Sequence, residues 1–100
     1  MILELATLYV KLNQEASFEK DFKIASQYIS AVPGYLHHNL QKCMEQPNKY
    51  VLLVGWNALE DHTVGFRNSQ GYQHWKELLH HYYDPFPIVE HFESIFENER

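Results

Sequence analysis

The sequence lacks a cysteine pair, a long apolar run and a signal peptide. Cys43 is the only cysteine, so no disulfide can form within the chain. No apolar run approaches the roughly 20 residues of a membrane-spanning helix. The first segment, MILELATLYVKL, lacks the basic region and the cleavage site of a signal peptide. These absences predict a cytoplasmic protein.

Basic residues are also scarce. The chain has 8 Lys and Arg against 13 Asp and Glu, which gives a formal net charge of −5. These cations are scattered, whereas a nucleic-acid-binding protein concentrates them in a patch that contacts phosphates. The lack of a basic patch also argues against an anionic membrane surface. The sequence therefore predicts neither nucleic acid nor a membrane among its partners.

Several common catalytic signatures are missing. There is no glycine-rich phosphate loop and no HExxH, CxxC or GxSxG motif. The adjacent pairs His37–His38 and His80–His81 diverge in direction on a strand or a helix, so neither pair is expected to chelate one metal ion. We expect exposed imidazoles at these pairs and an inert thiol at Cys43. No metal site is predicted.

Apolar and aromatic residues, in contrast, are abundant. Hydrophobic residues make up 45% of the chain and aromatic residues 15%, which is enough for a folded core in a single domain of residues 1–100. Two segments, 2–12 and 50–56, are apolar on both alternating faces. Such segments are typical of central strands in a sheet that is covered on both sides.

Periodicity and turn residues predict six elements. The first half of the chain is predicted to hold a strand at 2–12, a helix capped by Asn13 and stopped by VPG at 32–34, and a strand at 35–44. The second half is predicted to hold a strand at 50–56, a short helix at 60–68, a helix at 70–82 capped by Ser69, and a strand at 88–96. The two helical stretches of the second half form one broken helical unit, so the order is strand, helix, strand, strand, helix, strand.

The strands at 35–44 and 88–96 are more polar and are expected at the sheet edges. The predicted sheet order is therefore 4-1-3-2, an α+β, ferredoxin-like βαββαβ fold with a four-stranded antiparallel sheet and both helices on one face. The opposite face would then be bare, although its central strands are apolar there too. A second copy packed sheet to sheet is the simplest cover, so we predict a homodimer.

Two histidines are candidates for acid–base chemistry. His62 shares a helical face with Phe66 and Ser69, and His91 points to the same side of the last strand as Val89. An imidazole among apolar groups titrates near neutrality and can act as an acid or a base. The alternative is a buried histidine that bonds a backbone carbonyl or caps a helix.

The stretch VLLVGWNALEDHTVGFRNSQGYQHW, together with PFPIVEHF near the end, resembles the antibiotic biosynthesis monooxygenase-like family of dimeric α/β-barrel proteins. The shared features are a Trp closing the third strand, an acidic–His start to the next helix, and a His in the last strand. The resemblance implies two packed sheets that form an α/β barrel, with a pocket between sheet and helices in each subunit. Characterised members oxidise polycyclic phenols or quinols without metal or flavin, so no cofactor is expected.

The resemblance implies an enzyme in which a substrate carbanion reacts with oxygen while the protein moves protons and stabilises an oxyanion. His62 or His91 would be the catalytic group. The ligand would contact Arg67, if it points inward, and a flat apolar wall made of Trp56, Phe66, Tyr72 and Trp75. Two alternatives stay open: a non-catalytic dimeric module that binds an aromatic small molecule, and a structural dimer in which these aromatic residues are only core.

A haem-degrading branch of the family has Asn on the first strand, Trp in the second helical segment, and His ten residues after that Trp. With the alignment set on Ser69, this sequence has Phe66 in place of the Trp and Lys76 in place of the His. The first strand, LELATLYV, contains no Asn. A haem iron would have no ligand at position 76, so haem degradation is disfavoured.

Overall fold

Strands and helices alternate along the chain, and the computed structural model describes all residues, Met1–Arg100. The strands are β1 Ile2–Tyr9, β2 Tyr35–Lys42, β3 Lys49–Trp56 and β4 Ile88–Glu93, and the helices are α1 Glu15–Ser30 and α2 Gln70–Leu79. A π-helical turn, Asp61–Phe66, precedes α2, and a 3₁₀ turn, His80–Tyr82, follows it. None of the helices has both the length and the apolar composition to cross a bilayer.

The four strands form one antiparallel sheet in the order β2-β3-β1-β4. The two strands with apolar residues on both faces, β1 and β3, are the central ones, and Leu5 of β1 lies opposite both Leu53 of β3 and Glu90 of β4. The predicted α+β, ferredoxin-like fold and its strand order are confirmed. The sheet is open, so its closure into a dimeric barrel stays a prediction.

The first helix begins differently from the prediction. Asn13 is not its N-cap, because Asn13 adopts a left-handed backbone conformation with φ of 70°. The helix begins at Glu15 after Gln14, and no side chain caps it. Asn tolerates this conformation better than most residues, so Asn13 makes the turn between β1 and α1.

The strands are shorter than their apolar patterns predict. After Tyr9 the ladder ends, and Val10 makes only an isolated bridge with Tyr83. The strands predicted at 35–44 and 88–96 end at Lys42 and Glu93. A side-chain pattern continues past the point where a neighbouring strand is available, so it overestimates strand length.

The helical region after β3 is broken into a π-helical turn, Asp61–Phe66, and α2. Within Asp61–Phe66 the hydrogen bonds span five residues, as in the bond from the Arg67 amide to the His62 carbonyl at 3.2 Å. Ser69 is the predicted cap of α2: its Oγ accepts from the Tyr72 amide at 3.1 Å and donates to the Phe66 carbonyl at 2.6 Å. Such π-helical turns are frequent at functional sites.

The core fills the space between the sheet and the two helices. Phe18 of α1 is fully buried, and its ring centroid lies 4.9 Å from that of Tyr50 on β3 and 5.7 Å from that of Tyr82. Complete burial of a side chain of this size stabilises the fold by about 1.5–3 kcal/mol. Ala6 and Leu8 of β1 also face this core, so one face of the sheet is covered by helices.

The other face of the sheet has no helix over it and is largely apolar on its two central strands. Leu3, Leu5 and Leu53 lie on the central strands of this face and are only partly buried. On the edge strand β4, Ile88 is 75% and Phe92 is 47% exposed. Apolar side chains therefore remain in contact with water on this face of the isolated chain.

Candidate functional site

A cavity of about 360 Å³ lies between the helix-covered face of the sheet and the segment that follows β3. Ala6, Leu8 and Leu52 from the central strands form its floor. Ten of its fifteen lining residues are hydrophobic. This size and character match ordinary sites for small molecules, so the predicted pocket is present.

Most of the residues predicted to touch a ligand do line this cavity. The aromatic wall consists of Phe66 from the π-helical turn and of Tyr72 and Trp75 from α2. The Phe66 ring packs edge-on against both of the others, with centroid separations of 5.1 Å and 5.6 Å. His62 and Arg67 line the same cavity. The pairs His62 and Phe66, and Tyr72 and Trp75, are four and three positions apart and share a face, and the break between the two helical segments brings the pairs to the same cavity.

Trp56 is not part of the wall, contrary to the prediction. It is fully buried beneath His62, with the two rings stacked at a centroid distance of 5.4 Å and an angle of 19°. Its indole Nε1 donates to Oε1 of Glu4 at 2.9 Å. Trp56 therefore contacts His62 and Glu4 from outside the cavity lining.

His62 and His91 are brought together in a polar chain that also includes Glu4. Nδ1 of His62 lies 2.7 Å from Nε2 of His91, and Nε2 of His62 lies 3.4 Å from Oε1 of Glu4. His62 is 3% exposed, yet its ring nitrogens face these two side chains and bond neither a backbone carbonyl nor a helix end. His62 therefore has neither of the two structural bonding partners considered from the sequence.

The sheet register explains why these groups meet. Glu4 on β1 and His91 on β4 are direct cross-strand partners, so their side chains lie side by side on the helix-covered face. The π-helical turn then places His62 across both of them. His91 is not a lining residue of the cavity; it lies behind His62.

Glu4 is a functional candidate that the periodicity of β1 did not single out. It is 4% exposed and lines the cavity. The available signal was its place in the alternation, since Glu4 shares a face with Ala6 and Leu8 in an otherwise apolar strand. A buried acidic residue at such a position needs partners or a function.

Burial is the main influence on the protonation states of His62 and Glu4. It lowers the pKa of His62 to about 3, and the positive charges of Arg67 and His91 act in the same direction. Burial raises the pKa of Glu4, against the smaller opposing effects of the Trp56 hydrogen bond and the Arg67 charge. His62 is therefore neutral at pH 7 and carries one ring proton, whose position depends on which neighbour accepts it.

Arg67 is exposed to solvent but also lines the cavity. Its charge lowers the pKa of Glu4, His62 and His91. As a lining residue, Arg67 brings a positive charge to the cavity. Its exposed side chain keeps this charge in contact with water.

His80 was predicted to be an exposed imidazole, and this prediction is wrong. It lines the cavity, and its ring contacts the edge of Phe86 at a centroid distance of 5.1 Å. Burial, with a smaller effect of Lys76, lowers its pKa. The end of α2 tightens into the 3₁₀ turn at this residue, which turns His80 inward.

A second polar chain joins α1 to β2. Nε2 of His38 lies 2.9 Å from Oγ of Ser26, and the Tyr35 hydroxyl contacts Nδ1 of the same ring. Ser26 donates its proton to the Phe22 carbonyl at 3.0 Å, so the hydroxyl accepts from His38 and is not activated as a nucleophile. None of these groups lines the cavity. These side-chain contacts hold α1 against β2.

The buried histidine predicts a pH dependence of stability. Its folded-state pKa is about 3, below the ordinary 6.5. Below pH 6.5, His62 therefore binds a proton in the unfolded chain but stays neutral in the folded protein. The free energy of unfolding is expected to fall by about 2–3 kcal/mol between pH 7 and 4.5 on account of His62 alone. Glu4, whose pKa is raised, acts in the opposite sense, because its contribution is lost as the pH rises through its folded pKa.

Chemical unfolding at a series of pH values measures this effect. His62→Gln removes the titrating group, so its curve should be flatter than that of the unchanged protein in this window. His81→Gln is the matched control, since His81 is exposed and outside the cavity. Equal slopes for His62→Gln and the unchanged protein would contradict the burial of a neutral imidazole.

The fold and the cavity together define an α+β domain with a cavity between its sheet and its helices. A sequence model of the family "Antibiotic biosynthesis monooxygenase" matches residues 1–78. The chain belongs to this family. The match ends before β4, so it covers His62 and the aromatic wall but not His91.

Two relatives resemble the chain over nearly its whole length. An uncharacterised protein of Bacillus subtilis, YczJ, is 53% identical over 95 residues, which are 95% of this chain and 100% of that protein. A structure from Bordetella bronchiseptica, provisionally assigned as an antibiotic biosynthesis monooxygenase, is 29% identical with a TM-score of 0.91, covering 95% of this chain and 97% of the other.

A more distant structure carries a functional description. SnoaB from Streptomyces nogalater is a cofactor-independent oxygenase, and the structure compared is that of a mutant form. It is 17% identical to this chain with a TM-score of 0.83, covering 96% of this chain and 94% of SnoaB. At this identity the likeness shows a common fold.

Proposed function

We propose that this protein is a cofactor-independent monooxygenase that acts on an aromatic, quinol-type small molecule. The observation that carries the proposal is the cavity itself: three aromatic side chains form its wall, Glu4 and His62 supply polar groups to its lining, and His91 contacts His62 from behind. The wall suits a flat ring, and the polar end suits the removal of a proton from it. The assignment of SnoaB as a cofactor-independent oxygenase on the same fold supports this choice.

The reaction needs only a proton acceptor, an anion-stabilising group and oxygen. Loss of a proton from an activated ring carbon leaves a carbanion, which donates electrons to O₂. One oxygen atom becomes a carbonyl in the product, and the other leaves as water with the two hydrogens of the oxidised carbon. In this proposal His62 and His91 move the proton, Phe66 and Trp75 hold the ring, and Arg67 stabilises the oxyanion.

We further propose that the protein is a homodimer in which two sheets face each other. The partly buried leucines of the central strands, with Ile88 and Phe92 on the edge strand, form an apolar surface that a second copy would cover. The cavity lies on the opposite side of the sheet. Each subunit would therefore carry its own complete cavity.

Oxygen uptake with anthrone tests the proposed activity. Anthrone is a flat tricyclic tautomer of a phenol with an acidic CH₂ group, and its monooxygenation consumes one O₂ per molecule and yields anthraquinone and water. We expect turnover by the purified protein, with kcat lowered about 100-fold or more in His62→Gln because general acid–base catalysis contributes at least this much. His81→Gln is expected to keep full activity.

The outcome also separates the alternatives. Oxygen returned by catalase would indicate peroxide release, and thus an oxidase in place of a monooxygenase. Tight binding of anthrone without oxygen uptake would support a non-catalytic binding module. Absence of both binding and turnover would contradict the pocket functions and leave the aromatic residues as core.

A further inference from the structure

The proposed reaction assigns proton transfer to the two histidines and gives Glu4 no role. It is the acidic side chain lining the cavity, and it lies at the centre of the sheet with 4% of its surface exposed. Both of its polar contacts fall on Oε1, which accepts from Trp56 Nε1 at 2.9 Å and lies 3.4 Å from His62 Nε2. The second oxygen, Oε2, makes neither of these contacts.

The contacts beyond Glu4 form a continuous path of ring nitrogens. From Oε1 the path runs to Nε2 of His62, through that ring to Nδ1, and on to Nε2 of His91 at 2.7 Å. His91 is only partly buried, so we place the solvent end of this path at its ring. A carboxylate that held only the Trp56 indole in place would need no such path.

We propose that Glu4 is the catalytic base of the cavity and that His62 and His91 are a proton relay from Glu4 to solvent. This inference rests on the proposed function, because it assigns the proton acceptor of that reaction. The substrate class follows from the chemistry: a carbon acid or phenol whose acidic hydrogen lies at the buried end of the cavity, with its developing oxyanion towards Arg67.

The relay balances in protons and charge. A substrate C–H gives its proton to Glu4 and becomes a carbanion. Glu4 then passes a proton to Nε2 of His62, which releases the proton on its Nδ1 to Nε2 of His91, which releases the proton on its own Nδ1 to solvent. Each imidazole is neutral before and after the transfer and only exchanges one tautomer for the other. The same path run in reverse returns a proton for the formation of water.

The surroundings of Glu4 suit a base of this kind. The groups facing it are His91 from β4, His62 and Arg67 from the segment after β3, and the neutral Trp56 from β3. Burial raises the pKa of Glu4, which makes its carboxylate a stronger proton acceptor than an exposed one. Arg67 provides the one fixed positive charge of the set and limits that rise.

Deuterium exchange of anthrone without oxygen tests the inference. Under argon in D₂O, the protein should accelerate exchange of the CH₂ hydrogens, followed by mass spectrometry or proton NMR. Glu4→Gln keeps an oxygen to accept the Trp56 bond but cannot take up a proton, and we expect it to lower the rate of protein-catalysed exchange at least 100-fold with little change in anthrone binding. Circular dichroism and unfolding checks establish that the variant is folded.

A substitution of His91 tests the relay separately from Glu4. His91→Gln interrupts the outer end, so we expect a lower kcat for exchange with an unchanged KM and partial rescue by added imidazole. A merely structural role for His91 would show no such rescue. The unchanged protein should also lose exchange activity as the pH falls and Glu4 becomes protonated, and Glu4→Gln should lack this titration.

The results distinguish this inference from the proposed function. If Glu4→Gln exchanges deuterium as fast as the unchanged protein, or if the unchanged protein does not accelerate exchange, Glu4 is not the base, whatever the oxygen uptake shows. If exchange depends on Glu4 but anthrone is not oxygenated in air, the inference stands as proton abstraction and the monooxygenase proposal fails.

Discussion

Trp56→Ala is expected to lower the free energy of unfolding by about 3–5 kcal/mol, the usual cost of removing a large buried aromatic side chain. Trp56 is fully buried at the end of β3. Its ring stacks against His62 and lies 6.1 Å from that of Phe66, centroid to centroid. The substitution leaves a cavity at this point and also removes the indole N–H that Glu4 accepts. A loss of this size is a large part of the stability of a small domain.

Trp56→Phe separates the packing from the hydrogen bond. It keeps an aromatic ring in the same place but leaves the buried Oε1 of Glu4 without its N–H donor, so we expect a loss of about 1–3 kcal/mol. The pKa of Glu4 should rise further, because the Trp56 bond is one of the interactions that lower it. Urea unfolding followed by circular dichroism measures both variants at one pH. A change below about 1 kcal/mol in Trp56→Ala would contradict the close packing described for this residue.

Leu53→Lys is expected to convert the proposed dimer to a monomer, with the dissociation constant raised at least 100-fold. Leu53 lies on central strand β3, opposite Leu5, on the face of the sheet that no helix covers. A lysine there would place an unpaired charge inside an apolar interface, and a two-fold axis would bring the same charge from the second copy close to it. The monomer should stay folded, because this face of the isolated chain is in contact with water.

Sedimentation equilibrium at micromolar concentration measures this prediction. Gln73→Lys is the matched control, since it adds the same charge on an exposed position of α2, away from the sheet, and should leave the dimer intact. A single species of 11.9 kDa for the unchanged protein would refute the dimer proposal itself. Because the cavity lies on the other side of the sheet, folded Leu53→Lys monomers should still bind anthrone.

The alternation of side chains predicted the sheet because it reflects burial directly. Segments 2–12 and 50–56 are apolar on both faces, and only the two central strands of the sheet combine a helix-covered face with an apolar outer one. The helical spacing of His62 and Phe66 likewise carried over into the structure, since both line the cavity, whereas Ser69 lies past the break and caps α2. Local periodicity is preserved when the chain folds.

The sequence did not predict in the same way which residues surround His62 in the site. Trp56 was predicted as a wall residue and lies beneath His62, and His80 was predicted to be exposed and lines the cavity. Glu4 stood out only as one acidic residue in an apolar strand. Each of these differences concerns contacts between residues that are distant in sequence, and no spacing rule within one element reports such contacts.

By itself, the sequence determined the βαββαβ order, the strand order of the sheet, the helix cap at Ser69 and the face on which His62, Phe66 and Trp75 meet. The tertiary structure alone decided that Glu4 and His91 are paired across β1 and β4 and that the π-helical turn sets His62 over both. The physical reason is that periodicity encodes which side of an element is buried, whereas the strand register and the turn geometry decide which buried groups come within hydrogen-bonding distance.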